Sequence, residues 1–167
     1  MMIKRLYPNL YLNAISEMDT TTLKQQGVKG IIFDIDNTLV PYDVLDPTEE
    51  IIRFFEKLKD EGFQICLVSN NTEDRVVRFN QGLKVYAIHK SGKPSTKSFK
   101  RALELMHLTN DQVAIVGDQI FTDVYGGNRA KIKTILVKPV SDKDEWITKV
   151  KRGIERKVIA HYEKHNR

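Results

Sequence analysis

Apolar residues along this chain fall into two alternating patterns, short and largely apolar runs and stripes that recur every three or four residues. The runs are Ile31-Ile32-Phe33, Phe63 to Val68, Val85 to Ile88, Val113 to Val116 and Lys133 to Val137. A strand with one wet face alternates apolar and polar residues, whereas an unbroken apolar run predicts a strand covered on both faces, as in a parallel sheet. Between the runs lie the stripes. Ile51, Ile52, Phe55 and Leu58 share one face of a helix predicted from Pro47 to Asp60, which Asp46 or Thr48 can cap. Val76, Val77 and Phe79 are the apolar positions of a polar helix from Glu73 to Asn80. Phe99, Ala102, Leu103 and Met106 repeat at core-facing spacing in a helix that starts at Ser95 or Thr96. A short helix from Thr122 to Ala130 is predicted despite its Gly126-Gly127 pair. Run, stripe, run is the βαβ pattern, so the chain reads as an α/β fold with a mainly parallel sheet of five strands.

The two ends carry weaker patterns. Tyr7 to Thr22 reads as a lead-in, followed by a short helix around Asp19 to Gln26 that Gly27 ends. From Asp142 onward the chain reads as one helix, with Trp146, Val150, Ile154, Val158 and Tyr162 every four residues and Lys or Arg between them. This basic amphipathic helix has two readings: its stripe docks on the sheet while the charges face water, or it meets an anionic membrane surface.

Informative polar groups follow the strands. Asp34 and Asp36 close the first run, Ser69-Asn70-Asn71 the second and Gly117-Asp118 the fourth, while Lys93 lies in the loop after the third and Asp123 shortly beyond Asp118. In open α/β sheets, the carboxyl ends of the strands are where ligands bind. Taken singly, each residue has an ordinary explanation: Asp34 to Asn37 as a capped turn, Ser69 as a helix cap, Lys93 as a solvated lysine, Asp123 as a cap for the helix beginning at Thr122. Taken together, four carboxylates on one edge repel one another unless a hard cation sits among them, and Mg²⁺ favours a few carboxylates plus water and phosphate oxygens. A lysine and a hydroxyl beside that cation complete a pocket for a phosphoryl group. Asn70 and Asn71 are candidate substrate contacts. His89, His107, His161 and His165 have no ligand spacing and read as structural or solvated.

Composition narrows the setting. With 167 residues the chain suits one domain that includes the 142–167 helix, and 41% hydrophobic with 29% charged residues is ordinary for a folded globular protein. Lys plus Arg number 27 against 22 Asp plus Glu, an excess of +5 that favours anionic partners. The single cysteine, Cys66, sits in an apolar run, so an intrachain disulfide is excluded and a reducing compartment fits. Pro8 and Asn9 interrupt the start before a signal-peptide core can form, and no apolar run approaches the roughly 20 residues that span a bilayer. The expected location is the cytoplasm, with a peripheral place at the inner membrane face as a variant of it.

Asp-Ile-Asp-Asn-Thr-Leu-Val, Val-Ser-Asn-Asn, Gly-Lys-Pro and Gly-Asp-Gln-Ile-Phe-Thr-Asp, in that order behind apolar runs, resemble the four motifs of the haloacid dehalogenase (HAD) superfamily. The resemblance covers Lys29 to Val137 and implies a Rossmann-like three-layer sandwich. It also implies roles: Asp34 attacks phosphorus to form an aspartyl phosphate, and Asp36 acts as general acid and then general base. Ser69 hydrogen-bonds the phosphoryl group, and Lys93 neutralises its charge and that of Asp34. Asp118, Asp34 and the backbone carbonyl of Asp36 bind Mg²⁺, with Asp123 as an outer or additional ligand. Asp36 resembles the phosphatases of the superfamily rather than its ATPases, which carry Thr there. Asn37 departs from the Gly that many members have at its position.

The intervals Asp36 to Ser69 and Ser69 to Lys93 leave no room for the inserted cap domain by which many such phosphatases select substrates, so an open site without a cap is expected. With Gly-Asp-Gln-Ile-Phe-Thr-Asp-Val-Tyr-Gly-Gly-Asn-Arg and the Pro-Asn-Leu lead-in, the chain is similar to subfamily IIIA of the YqeG type. That group is in turn similar to the mitochondrial phosphatidylglycerophosphate phosphatases, which implies a lipid phosphomonoester as leading substrate. Two alternatives stand beside it: a phosphatase of a soluble phosphosugar or nucleotide, and a nonenzymatic RNA-binding or ribosome-associated module, nucleic acid being the less favoured partner. Oligomeric state is not specified by the sequence.

Overall fold

The computed structural model describes residues 3–142 and 146–166. Each of the five apolar runs forms a strand within a residue or two of its predicted limits, and a sixth strand, β1 (Leu10–Leu12), comes from the lead-in. The others are β2 (Gly30–Phe33), β3 (Gln64–Val68), β4 (Tyr86–Ile88), β5 (Val113–Gly117) and β6 (Lys133–Val137). They form one sheet in the order β1-β6-β5-β2-β3-β4, parallel at every pairing. The prediction of five strands is thus corrected to six. β1 leaves little signal in the sequence because its three residues are exposed or half-buried, so the lead-in lacks the apolar run of a covered strand.

The helices are α1 (Thr20–Gln25), α2 (Glu49–Asp60), α3 (Glu73–Gln81), α4 (Lys97–Met106), α5 (Tyr125–Arg129) and α6 (Trp146–His165). Asp19, Thr48 and Thr72 cap the first three by accepting backbone N–H bonds from Thr22, Ile51 and Arg75. Alternate residues of β2 divide between the two faces of the sheet. Ile31 and Phe33 pack with Phe55 and Leu58 of α2 and Phe79 of α3, whereas Ile32 packs with Phe99, Ala102 and Met106 of α4. Helices therefore cover both faces, as the three-layer reading expects.

Gly126 and Gly127 do not break the helix after β5, because their missing side chains are what lets it approach. A Cβ at Gly126 would lie 2.7 Å from Phe99, and one at Gly127 2.6 Å from Ile115 and 2.7 Å from Thr134. The helix instead divides into a π-helical turn, Ile120–Val124, and α5.

β2 lies at the centre, with β3 on one side and β5 on the other. The chain winds outward from β2 through β3 to β4, then returns to β5 beyond the opposite side of β2. That reversal opens a crevice above the carboxyl end of β2, the position at which doubly wound sheets bind ligands.

The terminal helix docks differently from its predicted stripe. Val158 is 7% exposed and Tyr162 half-buried, but Val150 and Ile154 are 62% and 55% exposed. Four residues advance a helix by about 400°, so a stripe spaced every four drifts about 40° per step around it. The docked face runs instead through Arg152, Glu155, Val158, Ile159 and Tyr162. The side chain of Trp146 and residues 143–145, the rest of the predicted tail, lie outside the described residues.

Candidate active site

Asp34 follows β2, and its backbone N–H is held by the Val116 carbonyl at 3.0 Å, so the adjacent strand fixes where its side chain starts. Asp118 follows β5, and Asp123 sits on the π-helical turn beyond it. One oxygen from each of Asp34, Asp118 and Asp123 lies within 4.8 Å of the others, and all three residues are buried. Gly117 makes this grouping possible: a Cβ there would stand 2.2 Å from the Asp123 carboxyl carbon.

Lys93 joins the carboxylates from the loop after β4. Its Nζ lies 2.9 Å from Asp34 Oδ1 and 2.6 Å from Asp123 Oδ1. Burial pushes its pKa down, but Asp123 and Asp34 together outweigh burial and the net shift is upward. Lys93 is therefore a fixed cation. Thr38 Oγ1 bridges Asp34 Oδ2 at 3.1 Å and Asp118 Oδ1 at 3.0 Å. Burial, then Asp34, raises Asp118 well above the usual carboxylate range, with Arg152 opposing the rise. Burial raises Asp123 to about 6 against the pull of Lys93.

The loops that carry these groups are stapled together. Asn70 donates to the Lys93 carbonyl at 3.1 Å, and its side-chain oxygen accepts the Lys93 N–H at 2.8 Å and the Ser91 hydroxyl at 2.5 Å. Asn70 thus positions Lys93. Ser69, 1% exposed, accepts the Asn71 N–H at 3.1 Å at the carboxyl end of β3. Asn37 has φ +58, the left-handed region that Gly and Asn tolerate best, so Asn here fits the turn.

Asp36 faces elsewhere. Its Oδ2 accepts the Asn71 side-chain N–H at 2.9 Å, and its Oδ1 accepts Arg75 Nε and Nη2 at 3.4 and 3.1 Å. Its carboxylate is outside the buried triad, so only its backbone carbonyl is left from the sequence reading as a metal ligand, while its side chain is held by Asn71 and Arg75. Arg75 also donates to the Leu45 carbonyl at 2.9 Å, holding the loop before α2 over this edge.

Two cations that touch the site were not read from the sequence. Arg75 was hidden by exposed neighbours on a polar helix. Arg152 of α6 donates to the Asp118 carbonyl at 2.6 Å, pairs with Asp118 Oδ2 and lies 3.1 Å from Glu155 Oε2. The signal was available: stepping back from Val158 by threes passes through Glu155 and Arg152, an acid and a base on the docked face.

The donor set suits a divalent cation. When ionised, Asp34, Asp118, Asp123 and Glu155 carry four negative charges against the two of Lys93 and Arg152, and all the candidate donors are hard oxygens.

Comparison with known proteins agrees with this geometry. The HAD-hydrolase-like family matches residues 90–161. The chain is 41% identical over 160 residues to the probable phosphatase YqeG of Bacillus subtilis, covering 95% of this chain and 93% of that one. It is 27% identical over 170 residues to the phosphatidylglycerophosphate phosphatase 1, chloroplastic/mitochondrial, of Arabidopsis thaliana, covering 93% of this chain but only 47% of that protein. Among solved structures, the cobalt-bound deoxy-D-mannose-octulosonate 8-phosphate phosphatase of Haemophilus influenzae superposes with a TM-score of 0.57 at 15% identity, covering 83% of this chain and 91% of that one. A HAD phosphatase of Thermococcus onnurineus gives 0.58 at 16% identity, covering 70% and 89%.

Proposed function

We infer from this chain, which belongs to the HAD-like hydrolases and within them to the YqeG-type phosphatases, that it hydrolyses phosphomonoesters with Mg²⁺ through a phosphorylated Asp34. The observation that carries this reading is the buried Asp34–Asp118–Asp123 triad with Lys93 between two of its members. Asp34, Asp118 and the Asp36 carbonyl would hold the metal, with Asp123 beside them. When bound, the cation offsets the negative charge of the carboxylates and the phosphate and draws electron density from the phosphoryl oxygens.

In this reading Asp34 Oδ attacks phosphorus, a new O–P bond forms and the bond to the leaving alcohol breaks. Lys93 pairs with Asp34 and balances charge on the transferring group. The Ser69 hydroxyl donates to a phosphoryl oxygen. Asp36 leaves Asn71 and Arg75, gives a proton to the departing alcohol oxygen and then takes one from the water that hydrolyses the aspartyl phosphate. Arg75 and Asn71 hold Asp36 in waiting between these steps.

The leading substrate is a lipid phosphomonoester, phosphatidylglycerophosphate. Support comes from the Arabidopsis relative's name, from the single helix between β2 and β3 and between β3 and β4 where a cap would stand, and from α6. Its outer side presents Val150 and Ile154 beside Lys151 and Lys157, a combination that suits peripheral contact with an anionic membrane from the cytoplasmic side. No helix among the described residues is long and apolar enough to cross a membrane.

Phosphate release from phosphatidylglycerophosphate in anionic vesicles, set beside a panel of soluble phosphomonoesters, tests the reading. Turnover with Mg²⁺ that Asp34→Asn abolishes is expected. Equal turnover of soluble phosphosugars with and without vesicles would shift the substrate to the soluble class.

A further inference from the structure

A cleft of about 580 Å³ runs between α6 and the carboxyl ends of β5 and β6, a volume typical of small-molecule sites. Asp118 and Arg152, a buried ion pair, are part of its lining. Asp118 belongs to both the cleft lining and the buried triad, and one of its oxygens lies within 4.8 Å of one from Asp34, so the cleft comes within one side chain of the nucleophile. It is therefore placed to take what is attached to the phosphoryl group.

Its walls differ in chemistry. Leu136, Val137 and Pro139 form an apolar side, and α6 forms a cationic one. Arg152 is engaged by Asp118 and Glu155. Lys149 and Arg156 also line the cleft; both are exposed, and neither has an ion pair among the described residues. They are seven residues apart, which sets them on the same flank of the helix, roughly 10 Å apart along its axis. Asp142 is the remaining anion of the lining, so the outer part carries an excess of positive charge.

We propose that this cleft holds the leaving-alcohol side of the substrate, and that Lys149 and Arg156 receive a second phosphate-type anion carried on that alcohol. The proposal rests on the phosphomonoesterase reading above and narrows it: the preferred substrate bears two phosphorus centres, one cleaved and one held. Helix α6 then does the selecting that an inserted cap does elsewhere. The second anion is a phosphodiester in a phospholipid headgroup or a further monoester in a soluble bisphosphate.

The test compares kcat/KM, with Mg²⁺, on glycerol 3-phosphate and on glycerophosphoglycerol phosphate, which adds a phosphodiester to the same kind of alcohol. Full-length wild type and the Lys149→Ala/Arg156→Ala double variant are measured. The ratio of the second substrate to the first is expected to fall at least tenfold in the variant, mainly through KM. A fall of less than tenfold on this pair and on both substrates named next overturns the proposal. Fructose 1,6-bisphosphate and dioleoyl phosphatidylglycerophosphate in phosphatidylcholine vesicles separate the sources, and a tenfold loss of selectivity on either supports the subsite. Absence of phosphate release from all four substrates would instead strike the catalytic reading. The cleft is then judged by titrating glycerophosphoglycerol in solution: binding that the double variant loses supports it, and no binding overturns it.

Discussion

Replacing Arg152 by methionine removes the cation that faces Asp118 from α6 while keeping most of the side-chain volume. The Asp118 side chain is 0% exposed and that of Arg152 11%, so this is a buried pair rather than a screened surface one. Removing one partner of such a pair leaves an uncompensated charge and costs about 3–5 kcal/mol. Asp118 already has Asp34 and Asp123 beside it, which makes the unpaired state worse. For a chain of this size each kcal/mol moves Tm by about 2–4 °C, so Arg152→Met should melt roughly 6–20 °C below wild type in EDTA. Mg²⁺ should narrow the gap, because Asp118 freed of the guanidinium binds the cation more tightly than in wild type; at saturation a hundredfold difference in Kd closes about 2.7 kcal/mol of it. Scanning calorimetry in EDTA and in Mg²⁺ measures both quantities. A Tm loss under 3 °C in EDTA, or one that Mg²⁺ leaves the same, would refute the assignment of Arg152 as the counter-charge of Asp118.

Asp34→Asn should lower phosphate release by roughly 10³-fold or more while the far-UV spectrum stays native, since it removes the attacking oxygen; residual activity near wild type would refute its role. In Gly117→Ala the added Cβ meets Asp123 at 2.2 Å, so stability should drop by about 1–3 kcal/mol and Mg²⁺ affinity by roughly tenfold, read by urea unfolding and metal titration. Asp123 has a folded pKa near 6 against an ordinary 3.8, so its ionisation costs nothing below the lower value and its full penalty, on the order of 3 kcal/mol, above the higher one. In EDTA, the stability of Asp123→Asn relative to wild type should therefore rise between pH 4 and pH 7, and a difference that stays flat in denaturant melts would contradict this.

Strands buried on both faces write themselves as largely apolar runs, which is why the limits of β2, β3, β5 and β6 are legible. β1 is half exposed and belongs to the sheet only because β6 offers a free edge, a fact about a segment more than 120 residues away. The motif residues at strand ends were legible for the same reason as the strands: β2, β3 and β5 lie side by side, so residues that end them converge. Asp123 ties the turn after β5 to the lysine: one oxygen accepts the Gln119 N–H at 3.2 Å, and the other takes Lys93. The docked face of α6 was not legible from apolar spacing, because two of its five positions are the charged Arg152 and Glu155. A salt bridge that is buried by a distant helix resembles, in sequence, any pair of solvated charges.

The sheet has consequences at its margins as well as at its centre. Its two outer strands, β1 and β4, are three residues long, whereas β3, β5 and β6 each have five. A short outer strand offers few unpaired backbone groups to another molecule, and short edges are one of the ways natural sheets avoid edge-to-edge aggregation. By lying against β6, the modest lead-in strand leaves Lys133–Val137, four of its five residues fully buried, with no open side. The least conspicuous strand of the fold thus serves as a selvedge, keeping the most adhesive part of the sheet from reaching a neighbour.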